Sequence, residues 1–119
     1  MKKEEDNLIL VKSKAFALRI IRLYKYLCDD KKEFVLSKQV LRSGTSVGAN
    51  AKEASLAQSK KDFQAKMFIA LKEAGETGYW LELLHESDYI EDASFESIYA
   101  DNKELIRILT SILKTSREK

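Results

Sequence analysis

The chain has 119 residues, with 21 Lys+Arg against 19 Asp+Glu and a formal net charge of +2. That length suits one domain, and 45% hydrophobic with 34% charged residues describes a globular chain rather than a disordered one. With no Pro and four Gly a loop-rich all-β fold is disfavoured, and one Cys and one His exclude disulfide frameworks, zinc clusters and most His-based catalysis.

Met1 to Asp6 is charged and mixed in sign, and no run approaches the roughly 20 apolar residues of a membrane span. Cys28 lies on the apolar side of a predicted helix, where it acts as a small hydrophobe. It fits a reducing cytosol, so the expected location is cytoplasmic.

The first predicted helix covers about residues 8–28. Phe16, Ile20, Leu23 and Leu27 follow 4-3-4 spacing, flanked by Ile9 and Tyr24. Asp29 to Glu33 is a polar break. The second helix covers about 37–57, with Ser37 as its expected N-cap and a face of Val40, Leu41, Gly44, Val47, Gly48, Ala51 and Ala54. Glycine inside a helix costs about 1 kcal/mol relative to Ala, so its presence here predicts close approach of a neighbouring backbone. The third helix, about 60–86, opens after Ser59, whose spacing to Asp62 is a variant of the capping box. Phe63, Met67, Ala70, Leu71, Ala74, Gly78 and Leu81 mark its core face. The fourth, about 95–115, starts after Ser94 and carries Phe95, Ile98, Tyr99, Leu105, Ile106, Leu109, Ile112 and Leu113, with a fraying tail from Ser116. Four rods of similar length joined by short loops predict an all-α, antiparallel up-down-up-down four-helix bundle over residues 1–119.

Helix three carries a second stripe, Phe68, Ile69, Tyr79, Trp80 and Leu83, opposite its core face on a helical wheel. A helix in a small monomeric bundle needs one stripe, so a second is either covered by its own neighbours or is a subunit interface. Tyr and Trp favour the interface, and a homo-oligomer is expected. On helix two the non-core face Lys38, Arg42, Thr45, Ser46, Ala49, Lys52 and Glu53 mixes small residues with charges. It reads either as a solvated face or as an interface in which Arg42 and Glu53 pair across copies, with Thr45 and Ala49 allowing close approach.

The stretch Leu41-Arg42-Ser43-Gly44-Thr45-Ser46-Val47-Gly48-Ala49-Asn50 is followed by Glu53-Ala54, Ala57, Ser59-Lys60-Lys61-Asp62-Phe63 and Ala70 to Leu81. Together, RSGTS-x-GAN and KEA-x-ET-x-YWL closely resemble the bacterial four-helix-bundle family first noticed as reading frames within intervening sequences of 23S ribosomal RNA genes. The resemblance spans nearly the whole chain. One departure is Ala51, where a larger aliphatic residue such as Ile is expected. The resemblance implies a homopentamer arranged as a barrel around a central channel, with no enzymatic activity and no cofactor. A related group, the accessory variability determinants of diversity-generating retroelements, shares the pentameric bundle and assists a reverse transcriptase by binding nucleic acid.

Charge is segregated along the chain. Residues 12–28 hold Lys12, Lys14, Arg19, Arg22 and Lys25 and no acid, a local charge of +5. Residues 73–101 hold nine acids and no Lys or Arg, and residues 102–119 return to +3. Arg19, Arg22 and Lys25 form a slanting row on helix one, near Tyr26, which could stack on an unpaired base. These five cations are the candidate phosphate contacts. The competing reading is a solvated face that pairs with the acidic helix three of the same or a neighbouring subunit, a basis for self-assembly.

Other chemistry is poorly supported. Glu82-x-x-His85 matches half of a di-iron bundle motif, but with one His in the chain no metal site is expected. Glu73 and Glu76 read as ion-pair partners, and Ser43, Thr45 and Ser46 lack a neighbouring base. Two functions follow: a non-enzymatic oligomer binding structured RNA or DNA, or an oligomeric scaffold for another protein.

Overall fold

The structure is a computed structural model that describes residues 4–118. Four helices account for nearly all of it: α1 Glu4–Asp29, α2 Leu36–Ser55, α3 Lys60–Glu86 and α4 Asp92–Glu118. Their ends depart from the apolar periodicity for identifiable electrostatic reasons. Glu4, Glu5 and Asp6 occupy the first turn of α1, and Asp92 the first turn of α4. Carboxylates there complement the positive end of the helix dipole, so both helices begin before their hydrophobic stripes do. At the other end Arg117 favours the C-terminus, and α4 runs to Glu118 where a frayed tail was expected.

The start of α2 corrects the sequence reading more sharply. Ser37 is not the cap; it is fully buried inside the first turn. Glu33 folds back from the connection and accepts from the amides of Val35, Leu36 and Ser37 at 3.2, 3.0 and 2.7 Å. Burial alone would raise its carboxyl, but the three amide donors outweigh that and hold it below the ordinary glutamate value. At α3 the expectation holds: Ser59 Oγ accepts from Asp62 N at 3.1 Å.

The helices pack in a closed ring. α2 lies between α1 and α3, α4 between α3 and α1, and among the described residues the backbones of the diagonal pairs do not approach closely. The core draws on all four, with Ile20, Leu27, Val40, Val47, Leu81, Leu84 and Leu109 fully buried. Gly44 lets α2 press against α1: a Cβ there would sit 2.8 Å from Ile20 Cγ1. Ala51 is also fully buried, so the departure from Ile falls in the core. Two polar contacts tie the interior. Thr77 Oγ1 donates to Ser43 Oγ at 2.9 Å, and Asn102 Nδ2 donates to the Ala74 carbonyl at 2.9 Å. The rod measures 46 × 21 × 18 Å.

Candidate nucleic-acid interface

With the core side of α1 fixed by Ile9, Phe16, Ile20 and Leu27, its basic residues divide between two settings. Lys12 and Arg19, seven residues apart, face α4. Lys12 Nζ lies 3.2 Å from Glu104 Oε2. Arg19 reaches Asp101 Oδ2 and Ser97 Oγ, each at 2.7 Å. These contacts join α1 to α4, whereas the sequence pointed to acidic helix three. Lys14, Arg22 and Lys25 are exposed and make no ion pair among the described residues. The candidate set thus contains two cations already neutralised by the fold and three that remain available.

Arg22 and Tyr26 form one rim of a half-open groove of about 330 Å³ in the α1–α4 seam. Its apolar wall is Leu23, Ile90 and Ile98, and its far rim is Glu91 and Ser94. A second groove of about 260 Å³ continues from it past Arg19 and Arg22 toward Lys12 and Glu104. The wall opposite α1 was invisible in the sequence because Leu23 meets Ile90 and Ile98 about seventy positions away; Ile98 belongs to the apolar stripe of α4, and Ile90 lies in the connection before it. On the other side of α1, a groove of about 370 Å³ brings Lys14 together with Thr45, Ala49 and Gly48.

The candidate interface residues also divide. Arg42 bonds Glu76 and lies 3.3 Å from Glu73, while Glu53 pairs with Lys66 at 2.9 Å. Both charges therefore have partners on α3 of their own chain. Thr45 Oγ1 donates to the Leu41 carbonyl at 2.8 Å, and Ala49 is exposed. On α3, Phe68 and Tyr79 are 53% and 55% exposed and Ile69 is exposed beside them, whereas Trp80 and Leu83 are half-buried. Trp80 Nε1 donates to Glu76 Oε2 at 2.8 Å. Gly75 lies on the same outer side, and a Cβ there would meet nothing within 4 Å.

Sequence reading missed a further row: Leu8, Val11 and Leu18 are exposed along α1, Val11 to 68%. The spacing of Val11 and Leu18, about half a turn from Ile9, Phe16 and Ile20, was the available signal, with Leu8 flanking them.

Glu82 and His85 do not converge on a metal. Glu82 accepts from the Tyr99 hydroxyl at 2.6 Å, while His85 bonds Asp92 at 2.7 Å and stacks on Phe95. The Glu82 hydrogen bond and burial push the Tyr99 hydroxyl above the usual phenol range. Among the described residues no cluster of three or more His, Cys, Asp or Glu is placed to hold a metal ion, and no helix is long and apolar enough to cross a membrane.

The profile of the family described as 23S rRNA-intervening sequence protein matches residues 5–111. The chain belongs to that family. Among solved structures, it is similar to a protein of unknown function from the S23 ribosomal protein family of Bacteroides thetaiotaomicron VPI-5482. The two share 55% identity over 92% of this chain and 98% of that one, with a TM-score of 0.92. No curated protein matches. The 23S rRNA-intervening sequence family assignment therefore agrees with RSGTS-x-GAN and KEA-x-ET-x-YWL, which lie within the matched residues.

Proposed function

We propose that this family member is a non-enzymatic, homopentameric bundle that binds RNA or DNA through α1. The observation that carries the reading is the exposed set Lys14, Arg22 and Lys25, free of ion pairs among the described residues and neighboured by Tyr26. Unpaired cations can exchange solution counterions for phosphates without first breaking an internal bridge. Repetition around a ring multiplies a weak single-chain charge into a strong field, despite a net charge of +2 per chain.

An antiparallel, up-down-up-down course for the helices is supported by their pairings. Glu5, Lys12 and Arg19 meet Ser111, Glu104 and Asp101 in turn. The ring is supported by two exposed apolar faces on diagonal helices, one on α1 and one on α3, which favour head-to-tail association. Location in the cytoplasm is favoured by the lone Cys28, and service to a nucleic-acid enzyme such as a reverse transcriptase by the resemblance to the accessory variability determinants.

A gel-shift titration against structured RNA at two salt concentrations tests the reading. Binding is expected to weaken steeply with salt and to be lost in Arg22→Glu with Lys25→Glu. That pair is more informative than Arg19, whose replacement also breaks the Asp101 bridge. No binding at low salt contradicts the proposal and leaves the protein-scaffold function.

A further inference from the structure

The groove between α1 and α4 has a chemistry of its own. Its one apolar wall, Leu23, Ile90 and Ile98, belongs to or abuts the core and can accept a flat hydrophobic face. Tyr26, 38% exposed, stands at the rim; its carbonyl accepts from the amides of Asp30 and Lys31, while its side chain has no ring or hydrogen-bond partner among the described residues. Arg22 beside it offers an unneutralised planar cation. Opposite, Glu91 is the exposed residue preceding α4, its carbonyl accepting from Phe95 N at 2.9 Å while its carboxylate makes no ion pair among the described residues. A ligand that satisfies all of these must be flat, negative at one end and a hydrogen-bond donor at the other.

We propose that this groove receives one base bearing an exocyclic amine from an unpaired nucleic-acid strand, with Tyr26 against the ring, Arg22 on its phosphate and Glu91 accepting from the amine. The inference rests on the nucleic-acid reading above and adds a ligand class and an orientation to it. Charge dictates the orientation. A phosphate near Glu91 is repelled by that carboxylate and by neighbouring Asp88 and Asp92, so it lies on the α1 side by Arg22 and Lys25. The volume of about 330 Å³ lies at the lower end of the range for small-ligand sites, roughly 300–1,000 Å³, suited to a single base. Arginine, unlike lysine, can serve phosphate and ring stacking with the same planar group.

Fluorescence anisotropy with end-labelled single-stranded oligodeoxycytidylate, oligodeoxythymidylate and a duplex tests it on the full chain. Cytosine presents an exocyclic amine and thymine does not. Oligodeoxycytidylate is expected to bind more tightly than oligodeoxythymidylate by about fivefold, the lower end for one good base contact. Tyr26→Ala should weaken single-strand binding by about fivefold and Tyr26→Phe should restore it. Glu91→Ala should remove the cytosine preference without weakening oligodeoxythymidylate binding. Tyr26 and Glu91 are exposed, and helical content by circular dichroism confirms that each variant folds. Equal binding of all three nucleic acids, unchanged by Tyr26→Ala, overturns the base site and leaves the phosphate surface intact. Absence of binding to any of them at low salt overturns both.

Discussion

Glu33 shows how one side chain defines a helix start in this bundle. Its carboxylate holds three α2 amides, and its folded-state pKa lies below its ordinary value. A depressed carboxyl stabilises the fold above the unfolded pKa, and that contribution is lost as pH falls through the folded value. Glu33→Ala is expected to lower stability by about 1–2 kcal/mol at neutral pH, measured by urea unfolding, and the gap from the parent should close on acidification. A gap independent of pH would show that the charge on Glu33 contributes nothing. Gly44 makes the opposite kind of demand, for absence of a side chain. An added methyl would lie 2.8 and 2.9 Å from the two γ carbons of fully buried, β-branched Ile20, which has little freedom to move. Overpacking of about 1–3 kcal/mol outweighs a helix-propensity gain of about 1 kcal/mol. Gly44→Ala should therefore be less stable than the parent in the same urea assay.

At the scale of the helix, the 3.6-residue period carried most of the fold. The stripes of α1 and α4 and the small-residue face of α2 lie where their spacing put them, and α3 spans the residues expected. What periodicity could not convey was charge acting on helix ends: Glu4 to Asp6, Glu33 and Asp92 extend or start helices without belonging to any apolar pattern. The candidate site was legible by halves. The basic row on α1 is local and readable, but which of its members are neutralised depends on Asp101, Ser97 and Glu104 of a helix nearly eighty or more positions away. Gly75 is informative at this scale because nothing in its own chain needs a glycine there. In an isolated bundle Gly75→Ala stabilises the helix by about 1 kcal/mol. If a second copy packs closely at the Phe68–Tyr79 face, the added methyl weakens association instead. The proposed oligomer predicts the second result, a lower mass by light scattering at a given concentration; unchanged mass with higher stability would place Gly75 in solvent.

For the molecule as a whole, the placement of its apolar surface matters more than the amount. Leu8, Val11 and Leu18 look out from α1, and Phe68, Ile69 and Tyr79 look out from α3, two helices that sit diagonally across the bundle. A single two-fold contact uses one face twice and leaves the other wet, whereas head-to-tail contact can cover both and closes as a ring. The same ring would bring several copies of Lys14, Arg22 and Lys25 together, so the polyanion-binding proposal depends on assembly. Sedimentation equilibrium of the purified protein at micromolar concentration is the most direct test. One species near five times the 13.7 kDa chain mass is expected. A folded species of 13.7 kDa, with native helical content and both apolar faces in water, would contradict it.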